Sequence, residues 1–357
     1  MTIASDTAAI IARVREHGDK ALFELACELD GITLSALEVP FNVSIPPELR
    51  RAMERAIGNL RTAHKAFAPT KVEVETEPGV IVGRRPDPLS RVGVYAPGGR
   101  ATYPSSLLMG AIPAKVAGVQ EVIVCSPKPS PALLAAAEMA GVDRVFAVGG
   151  AGAIAAMAYG TETIPRVDKI VGPGNAYVAE AKLQLAGVVA SEAPAGPSEL
   201  LVIADETTDP AIIAREMAAQ AEHDPRARVA VVIVGRDVAT IDDAIAYANE
   251  WAPEHLLLAV AEPESVFARI RNAGAVFLGE SSSVTFGDYL TGGNHVLPTG
   301  GWARSYSGLS TQDFVRWTSY TRVDRAAAAR LAEDTAVFAE AEGLRAHAIA
   351  ALAWKGI

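Results

Sequence analysis

Four of the six histidines in this 357-residue chain lie in short polar motifs in its second half. They are His223 in Gln220-Ala-Glu-His223, His255 in Pro253-Glu254-His255, His295 in Gly292-Gly293-Asn294-His295, and His347 five residues after Glu342. Neutral imidazole is the commonest metal ligand in proteins and the usual proton carrier near neutral pH. Because the motifs also contain amide and carboxylate side chains, together they predict one metal-assisted active site.

The first motif, Gln220 and His223, has i, i+3 spacing near the end of a helix predicted to begin around Pro210. This spacing places both side chains on one face, and Pro225 ends the helix just after them. Two ligands from one helix are a common nucleus for a metal site. The alternative is that the pair only caps or decorates the helix.

Glu254 and His255 directly precede the apolar run Leu256–Val260, which predicts a buried strand. A carboxylate and an imidazole at the mouth of a strand are held by the sheet and still lie near solvent. That position suits general acid–base chemistry. The alternative is an ordinary polar pair at a strand edge.

A polar, glycine-rich loop with Asp288 and His295 is predicted after the strand at 275–278. Loops at the carboxyl ends of parallel strands are where α/β folds bind ligands. Asp288 supplies a hard oxygen ligand for a metal. His295 is a candidate to hold a carbonyl or carboxylate of a substrate, and an ordinary cluster of turns is the alternative.

Three glycine-rich turns in the first half indicate cofactor binding. Their sequences are Tyr95-Ala-Pro-Gly-Gly, Gly149-Gly-Ala-Gly152-Ala-Ile-Ala155 and Gly172-Pro-Gly-Asn175. Turns of this kind, between a strand and a helix, can offer free backbone N–H groups to a phosphate. The second turn loosely matches the dinucleotide-binding fingerprint. The alternative is that glycine merely allows tight turns here. Ser198, in Pro194-Ala-Gly-Pro-Ser198-Glu199, is expected to face the cleft.

Composition indicates a globular enzyme: 50% of the residues are hydrophobic, 21% are charged, and the net charge is −10. The negative charge disfavours binding to nucleic acid or to an anionic membrane. The two cysteines are too few for a disulfide framework or a thiolate zinc finger. We see no signal peptide and no apolar run that could span a bilayer, so we expect a cytoplasmic protein.

The elements that must position these residues read as an α/β fold. Helices are predicted at 5–29 and 46–67, an extended segment or hairpin at 71–90, and terminal helices at 322–352. Eight short apolar runs predict strands at 92–96, 121–125, 144–148, 168–171, 199–204, 228–234, 255–260 and 275–278. Near-continuous apolar strands between helices indicate mostly parallel sheets covered on both faces.

Eight such strands suit two Rossmann-like, doubly wound domains better than one. We predict a cofactor domain at 91–198 and a discontinuous domain, 1–90 with 199–320, that carries most metal and catalytic residues. Residues 321–357 are predicted to be a helical tail.

The ordered series of motifs closely resembles the histidinol dehydrogenase family, over nearly the whole chain. The motifs that carry the resemblance are those of Tyr95, Asn175, Ser198, Gln220 with His223, Glu254 with His255, Gly287-Asp288-Tyr289, and Asn294-His295-Val-Leu-Pro. The resemblance implies a homodimer that uses zinc and NAD to oxidise L-histidinol to L-histidine in two steps, through L-histidinal, in histidine biosynthesis.

The resemblance also implies a role for each matching residue. The zinc ligands would be Gln220, His223, Asp288 and His347, the catalytic pair Glu254 and His255, the substrate contacts Ser198, His295 and Glu342, and the cofactor contacts Tyr95, Gly152 and Asn175. In the family the C-terminal segment crosses to the other subunit. The helical tail, with its two site residues, is therefore expected to complete the partner's active site.

Three departures from the family pattern are visible. The stretch between His223 and Glu254 is shorter than usual by about one strand and one helix, the N-terminus starts late, and Gly152 stands where many members carry glutamine. The alternatives are a related enzyme that oxidises another small polar alcohol, a zinc hydrolase that uses Glu254, and a non-catalytic metal or ligand binder. The intact Glu254–His255 pair makes the last of these the weakest.

Overall fold

A computed structural model describes residues 2–98, 103–223 and 225–356 of the chain, with the side chain of His223 outside the description. The chain forms two units. The first is Met1–Ala68 with Leu89–Phe314, and the second is Pro69–Pro88 with Val315–Ile357. Among the residues described, no helix combines the length and the apolar character needed to cross a membrane.

The strands are β1 (Val72–Glu77), β2 (Val80–Pro88), β3 (Arg91–Tyr95), β4 (Glu121–Cys125), β5 (Arg144–Phe146), β6 (Lys169–Val171), β7 (Ala190–Ser191), β8 (Glu199–Ala204), β9 (Arg228–Ile233), β10 (His255–Ala259), β11 (Ala275–Leu278) and β12 (Val315–Val323). The helices are α1 (Ile3–Asp30), α2 (Pro47–Ala66), α3 (Pro104–Ala117), α4 (Pro131–Ala140), α5 (Gly150–Tyr159), α6 (Ala176–Gln184), α7 (Pro210–His223), α8 (Ile241–Trp251), α9 (Pro263–Phe267), α10 (Val284–Tyr289), α11 (Arg325–Ala341) and α12 (Arg345–Leu352). Two short 3-10 turns lie at Trp302–Arg304 and Thr311–Phe314.

The first parallel sheet has the strand order β5-β4-β3-β6-β7. Alternate residues of β4 face opposite sides: Val122 and Val124 pack in one core cluster, Ile123 and Cys125 in another. The first cluster includes residues of α2, α3 and α4, and the second includes residues of α1, α5 and α6. Burial on both faces explains why these strands are continuous apolar runs. The strand order reverses between β3 and β6, so the loops after these two strands diverge there.

The second parallel sheet has the order β11-β10-β8-β9 and reverses between β8 and β10. Leu201 and Ile203 of β8 pack in one cluster with residues of α8. Leu200 and Val202 face the other side, in a cluster that includes Ile213 of α7 and a residue of α10. Helices therefore cover both faces of this sheet as well.

The second unit contains an antiparallel sheet, β1-β2-β12, and the helix pair α11 and α12. The pairing runs from Val72 opposite Arg84 in β1 and β2, and from Val315 opposite Pro88 in β12 and β2. The two helices pack through small residues, Ala336, Ala339 and Ala348.

The predicted fold class is confirmed: two parallel, doubly wound sheets are accompanied by N-terminal and C-terminal helices. All eight predicted strands form, as does the hairpin of β1 and β2. The predicted helix at 5–29 forms as α1, with a kink at Gly18, where this residue has φ 52°. The domain boundaries drawn from the sequence stay a prediction.

Two expectations differ from the structure. No strand is predicted at the boundary between the domain that ends at 320 and the helical tail that begins at 321. In the structure, β12 spans this boundary, and its nine residues pair with β2. Asp288 was expected in a loop but lies in helix α10. Glycine at 287 suggested a loop, whereas in the helix its small size accommodates the ring of Phe277, which a side chain at 287 would overlap.

Candidate active site

The candidate site lies at the amino-terminal edge of the second sheet. Glu199 is the first residue of β8 and His255 the first of β10, and β10 pairs in parallel with β8. Parallel neighbours begin at the same edge of a sheet, so the two starts lie side by side. The fold therefore brings the buried carboxylate of Glu199 and the buried imidazole of His255 to the point where the strand order reverses.

Glu254 and His255 are held by the backbone of one residue. The Glu199 N–H donates to Glu254 Oε2 at 2.8 Å, and His255 Nδ1 lies 3.0 Å from the Glu199 carbonyl oxygen. Both side chains are buried, with residue exposures of 6% and 4%. A single peptide segment therefore fixes both members of the predicted catalytic pair.

These contacts determine the tautomer of the neutral His255 ring. Nδ1 faces two acceptors, the Glu199 carbonyl and, at 3.5 Å, Glu254 Oε2. A carbonyl oxygen only accepts, so Nδ1 carries the proton. Nε2 is then the basic nitrogen, and it lies 3.9 Å from Asp288 Oδ1, beyond hydrogen-bond length.

The charge state of His255 follows from the same neighbours. Burial disfavours the charged imidazolium, but the carboxylates of Glu254 and Asp288 and the Glu199 carbonyl outweigh burial. The pKa of His255 is therefore raised above the usual histidine value. A raised pKa makes the ring a better proton acceptor, which suits a general base.

Asp288 and His295 adjoin this pair. His295 Nδ1 lies 2.9 Å from the Asp288 carbonyl oxygen, and its Nε2 lies 3.5 Å from Ser106 Oγ. Together with His255 they line a cavity of about 360 Å³ whose walls include Phe277. A cavity of ~300–1,000 Å³ with few convergent polar groups is typical of a small-molecule site.

Helices α7 and α10 bring Gln220 to the same edge. Both follow a strand of the second sheet and run back toward the edge where the strands begin. Glu216 is buried and accepts the Val284 N–H at 3.0 Å, which joins the two helices. Gln220 and Asp288 each lie one turn further along their own helix, so both approach the amino-terminal edge.

Four predicted metal and substrate residues remain: His223, Glu342, His347 and Ser198. His223 is the last residue of α7, and its side chain lies outside the described part. Glu342, at the C-cap of α11, and His347, in α12, belong to the second unit and are exposed. Ser198 is half-buried beside Glu199, and its carbonyl accepts the Arg228 N–H at 2.9 Å.

Gln220 is the described metal-ligand candidate whose environment favours an ion. Its side chain is buried, and Nε2 of its amide has no hydrogen-bond partner among the described residues. A buried polar atom without a hydrogen-bond partner needs an explanation. If the amide is rotated so that its oxygen takes the place of Nε2, that oxygen could bind a metal ion. The described side chains contain no group of three or more His, Cys, Asp or Glu placed to hold a metal. The predicted ligand set would not form such a group here. The side chain of His223 lies outside the described part and His347 is expected to come from the other subunit, so Asp288 is the one described ligand of these types at this edge.

The described parts of the three glycine-rich turns follow β3, β5 and β6 at the carboxyl edge of the first sheet, and the strand order reverses between β3 and β6. The buried Tyr95 hydroxyl accepts the Gly150 N–H at 3.1 Å, which joins two of the turns, and burial raises the pKa of this phenol. Gly172 has φ 112°, and a side chain there would overlap the Tyr95 carbonyl oxygen. The turn after β6 therefore requires glycine at this position.

Asn175 caps α6, because its Oδ1 accepts the Tyr177 and Val178 N–H groups at 3.0 and 3.2 Å. Gly152 lies in α5 with its Cα–H side against α1, where a Cβ would sit 3.3 Å from a methyl group of Leu25. Helix packing therefore accounts for a small residue at 152. The cofactor roles of both positions stay predictions.

The two edges adjoin each other. Helix α3 follows β3, so its first turn lies at the carboxyl edge of the first sheet, and Ser106 in that turn approaches His295. The neighbouring Asn294 side chain donates to the Met109 carbonyl at 2.8 Å. A cofactor in the first-sheet turns would thus lie near the acid–base pair.

Residues that act through backbone contacts are not among the predicted site residues. Glu199 holds both members of the predicted catalytic pair with its own peptide groups, and Glu216 caps the helix of Asp288. Backbone donors leave no composition signal. For Glu199 the one available signal was its place at the end of the Pro-rich motif that opens β8.

Fold and site together define a doubly wound α/β enzyme with a buried carboxylate–imidazole pair. The histidinol dehydrogenase family model matches residues 1–240 and 236–353. The histidinol dehydrogenase of Methanosarcina barkeri is 42% identical over 392 aligned residues, covering 97% of this chain and 90% of the relative. That of Aquifex aeolicus is 43% identical over 383 residues, covering 96% and 90%.

The crystal structure of histidinol dehydrogenase from Elizabethkingia anophelis superposes with a TM-score of 0.94 at 33% identity, covering 99% of this chain and 92% of that one. The chain belongs to the histidinol dehydrogenase family. The relatives contain residues that this chain lacks: the alignment with the Methanosarcina barkeri protein has 392 positions, although it includes only 97% of the 357 residues here. The two matched segments meet at residues 236–240, inside the stretch between His223 and Glu254 that is predicted to be shorter than usual in the family.

Proposed function

We propose that this protein oxidises L-histidinol to L-histidine through L-histidinal, in histidine biosynthesis, with zinc and NAD as cofactors. The observation that carries the proposal is the buried Glu254–His255 pair, whose basic His255 nitrogen faces Asp288 and a small-molecule cavity. Membership of the family supports the choice of substrate.

The proposed zinc ligands are Gln220, His223, Asp288 and the partner subunit's His347. This set joins borderline and hard donors, as zinc accepts. When bound, zinc would act as a Lewis acid that orients the substrate, and NAD would accept a hydride at each oxidation. The unsatisfied Gln220 amide is the feature of the structure that favours an ion here.

His255 is proposed as the base of the first oxidation. Its Nε2 takes the hydroxyl proton of the alcohol as the carbon loses its hydride, and the Nδ1–H···O bond to Glu199 keeps the ring oriented. Glu254 is proposed to activate the water that hydrates the aldehyde before the second oxidation. Its Oε2 already accepts the Glu199 N–H, which fixes the carboxylate beside the ring.

The remaining roles are proposed from the family pattern. Ser198, His295 and the partner's Glu342 would contact the substrate, and Tyr95, Gly152 and Asn175 the cofactor. His295 has the clearest support among them, since it lines the cavity with His255.

A homodimer with shared sites is supported by the surface of the second unit. Helices α11 and α12 expose large apolar side chains, including Phe338 at 72% and Ile349 at 62%. Clusters of this kind on a soluble protein mark protein–protein contacts. The partner proposed for this surface is a second copy, which would receive Glu342 and His347.

The test of the function is the yield of NADH per L-histidinol consumed by the purified protein with zinc and NAD. Two NADH per histidinol are expected, because two oxidations lead to the carboxylate. One NADH, or turnover of a different small alcohol only, would favour a relative with another substrate. Ester or amide cleavage without NAD would favour a zinc hydrolase.

Sharing of sites is tested by mixing two inactive variants, His255→Asn and His347→Asn. Each heterodimer would contain one site with both histidines intact, so partial activity is expected after subunit exchange. Exchange verified by mass tags without recovered activity would contradict the shared site.

A further inference from the structure

A buried ion pair lies beneath the turn that follows β6. Lys182 of α6 and Glu192, which follows β7, are joined by a 2.6 Å contact between Nζ and Oε1. Their side chains are 12% and 7% exposed. Removing two charges from water is costly, so a pair at this depth needs further partners.

Those partners belong to one residue, Gly172. The Lys182 ammonium donates to the Gly172 carbonyl at 2.6 Å, and the Gly172 N–H donates to Glu192 Oε1 at 3.2 Å. The other carboxylate oxygen, Oε2, is buried and has no hydrogen-bond partner among the residues described. Apart from the contact between Lys182 and Glu192, the two side chains therefore bond to the backbone C=O and N–H of one glycine.

Gly172 is the position where the turn is most constrained. Its backbone has φ 112°, and it lies directly against the carbonyl of Tyr95 across the point where the strand order reverses. Three residues later, Asn175 caps α6. The turn is thus fixed at one end by the ion pair and at the other by the cap.

We propose that Lys182 and Glu192 are positioning residues for the dinucleotide: they hold the Gly172 peptide so that the turn 172–175 and Tyr95 keep the shape that NAD requires. This inference rests on the proposed function, since it assumes that NAD binds at this edge. The side chains of the pair act through Gly172 and do not themselves touch the cofactor.

The test compares three variants of the pair with a matched control. Lys182→Met removes the donor to the Gly172 carbonyl, and Glu192→Gln keeps an acceptor for its N–H. The double variant removes both charges. The control is Lys115→Met, which breaks the ion pair of Lys115 with Asp143, whose carboxylate accepts the Val122 N–H near the start of β4, at the opposite edge of the same sheet.

The readouts are NADH binding by fluorescence, the KM values for NAD and for histidinol, the zinc content and the thermal midpoint. Lys182→Met is expected to weaken NADH binding about ten- to a hundred-fold, as small misplacements of a binding element do. The KM for histidinol and the zinc content should stay at wild-type values. In the double variant the thermal midpoint should recover while NADH binding stays weak, because the Gly172 carbonyl still lacks its donor.

Wild-type NADH affinity in the folded double variant would overturn the proposal, and so would an equal loss of affinity in Lys115→Met. If the wild-type protein oxidises histidinol with NAD and the variants bind NADH normally, only the positioning role fails. If the wild-type protein binds no NADH, the proposed function fails with it.

Discussion

The His255→Asn variant tests the proposed proton transfer without removing the hydrogen bond that holds the side chain in place. The asparagine amide can donate to the Glu199 carbonyl in place of Nδ1–H, which in the native ring spans 3.0 Å. The substitution therefore keeps the buried donor and removes the basic Nε2. Alanine is less suitable, because it leaves a buried carbonyl unpaired and opens a cavity.

The size of the effect follows from what is lost. A positioned general base contributes ~10²–10⁴-fold to a rate, which corresponds to about 2.7–5.4 kcal/mol of activation free energy. Because Nε2 is 3.9 Å from Asp288 and makes no direct hydrogen bond to its carboxylate, the zinc content is expected to be unchanged. The loss should therefore appear in the rate of the first oxidation and not in the amount of metal bound.

The assay is single-turnover NADH formation from L-histidinol at saturating substrate, with zinc measured on the same samples. His17→Asn is the matched control, since this histidine is half-exposed beside Glu16 in α1, a helix that packs against the first sheet. Wild-type turnover in His255→Asn with full zinc would refute the base assignment. Loss of zinc along with activity would show that the residue supports the metal and would leave no case for a separate proton transfer.

Three further predictions concern neighbouring groups. Glu254→Gln keeps an acceptor for the Glu199 N–H but loses the charge, so oxidation of L-histidinal should slow more than that of L-histidinol; equal losses in stopped-flow traces would contradict the water-activating role. Glu216→Ala leaves the buried Val284 N–H unpaired, which should cost about 1–3 kcal/mol in urea unfolding and weaken zinc binding ~10–100-fold in chelator competition. Unchanged zinc affinity would show that this cap does not support Asp288. Burial lowers the pKa of His64, so the unfolded state binds more protons. The free energy of unfolding should therefore fall as pH drops below about 6.5, the unfolded-state value, and His64→Leu should flatten that part of the curve; an identical pH profile would rule this source out.

The two parallel sheets could be predicted because their central strands are buried on both faces and therefore read as apolar runs. Glu121–Cys125 and Glu199–Ala204 match their predicted bounds. Strand β7 has two residues, too short for any periodicity. Strand β12 contains mostly half-exposed or exposed residues, so it lacks the apolar signal that the others carry.

The residue types of the candidate site could be predicted from the sequence. The groups that orient these side chains could not. Side chains such as Glu254 and His255 stand out because polar groups beside buried strands are rare. The groups that orient them are the peptide N–H and C=O of Glu199, which every residue possesses. Likewise, nothing in the sequence distinguishes Lys182 from a surface lysine until its contact with Gly172 is seen.

The position of the shortened segment in the second sheet indicates whether it can affect the choice of substrate. Strand β9 runs parallel to β8, so Ile233 lies at the carboxyl edge of the second sheet, and the two family matches meet just after it, at 236–240. Helix α8 then returns toward Glu254. The shortening thus falls at the carboxyl end of the outer strand β9, whereas His255 begins β10 at the opposite edge and the cavity lined by His255 and Asp288 follows the other outer strand, β11. A deletion there changes the far rim of the sheet and leaves the walls of the cavity in place. This favours histidinol over another alcohol as the substrate, and grafting a relative's longer segment after Ile233 should leave the KM for histidinol unchanged. A several-fold change in that KM would show that the segment reaches the site.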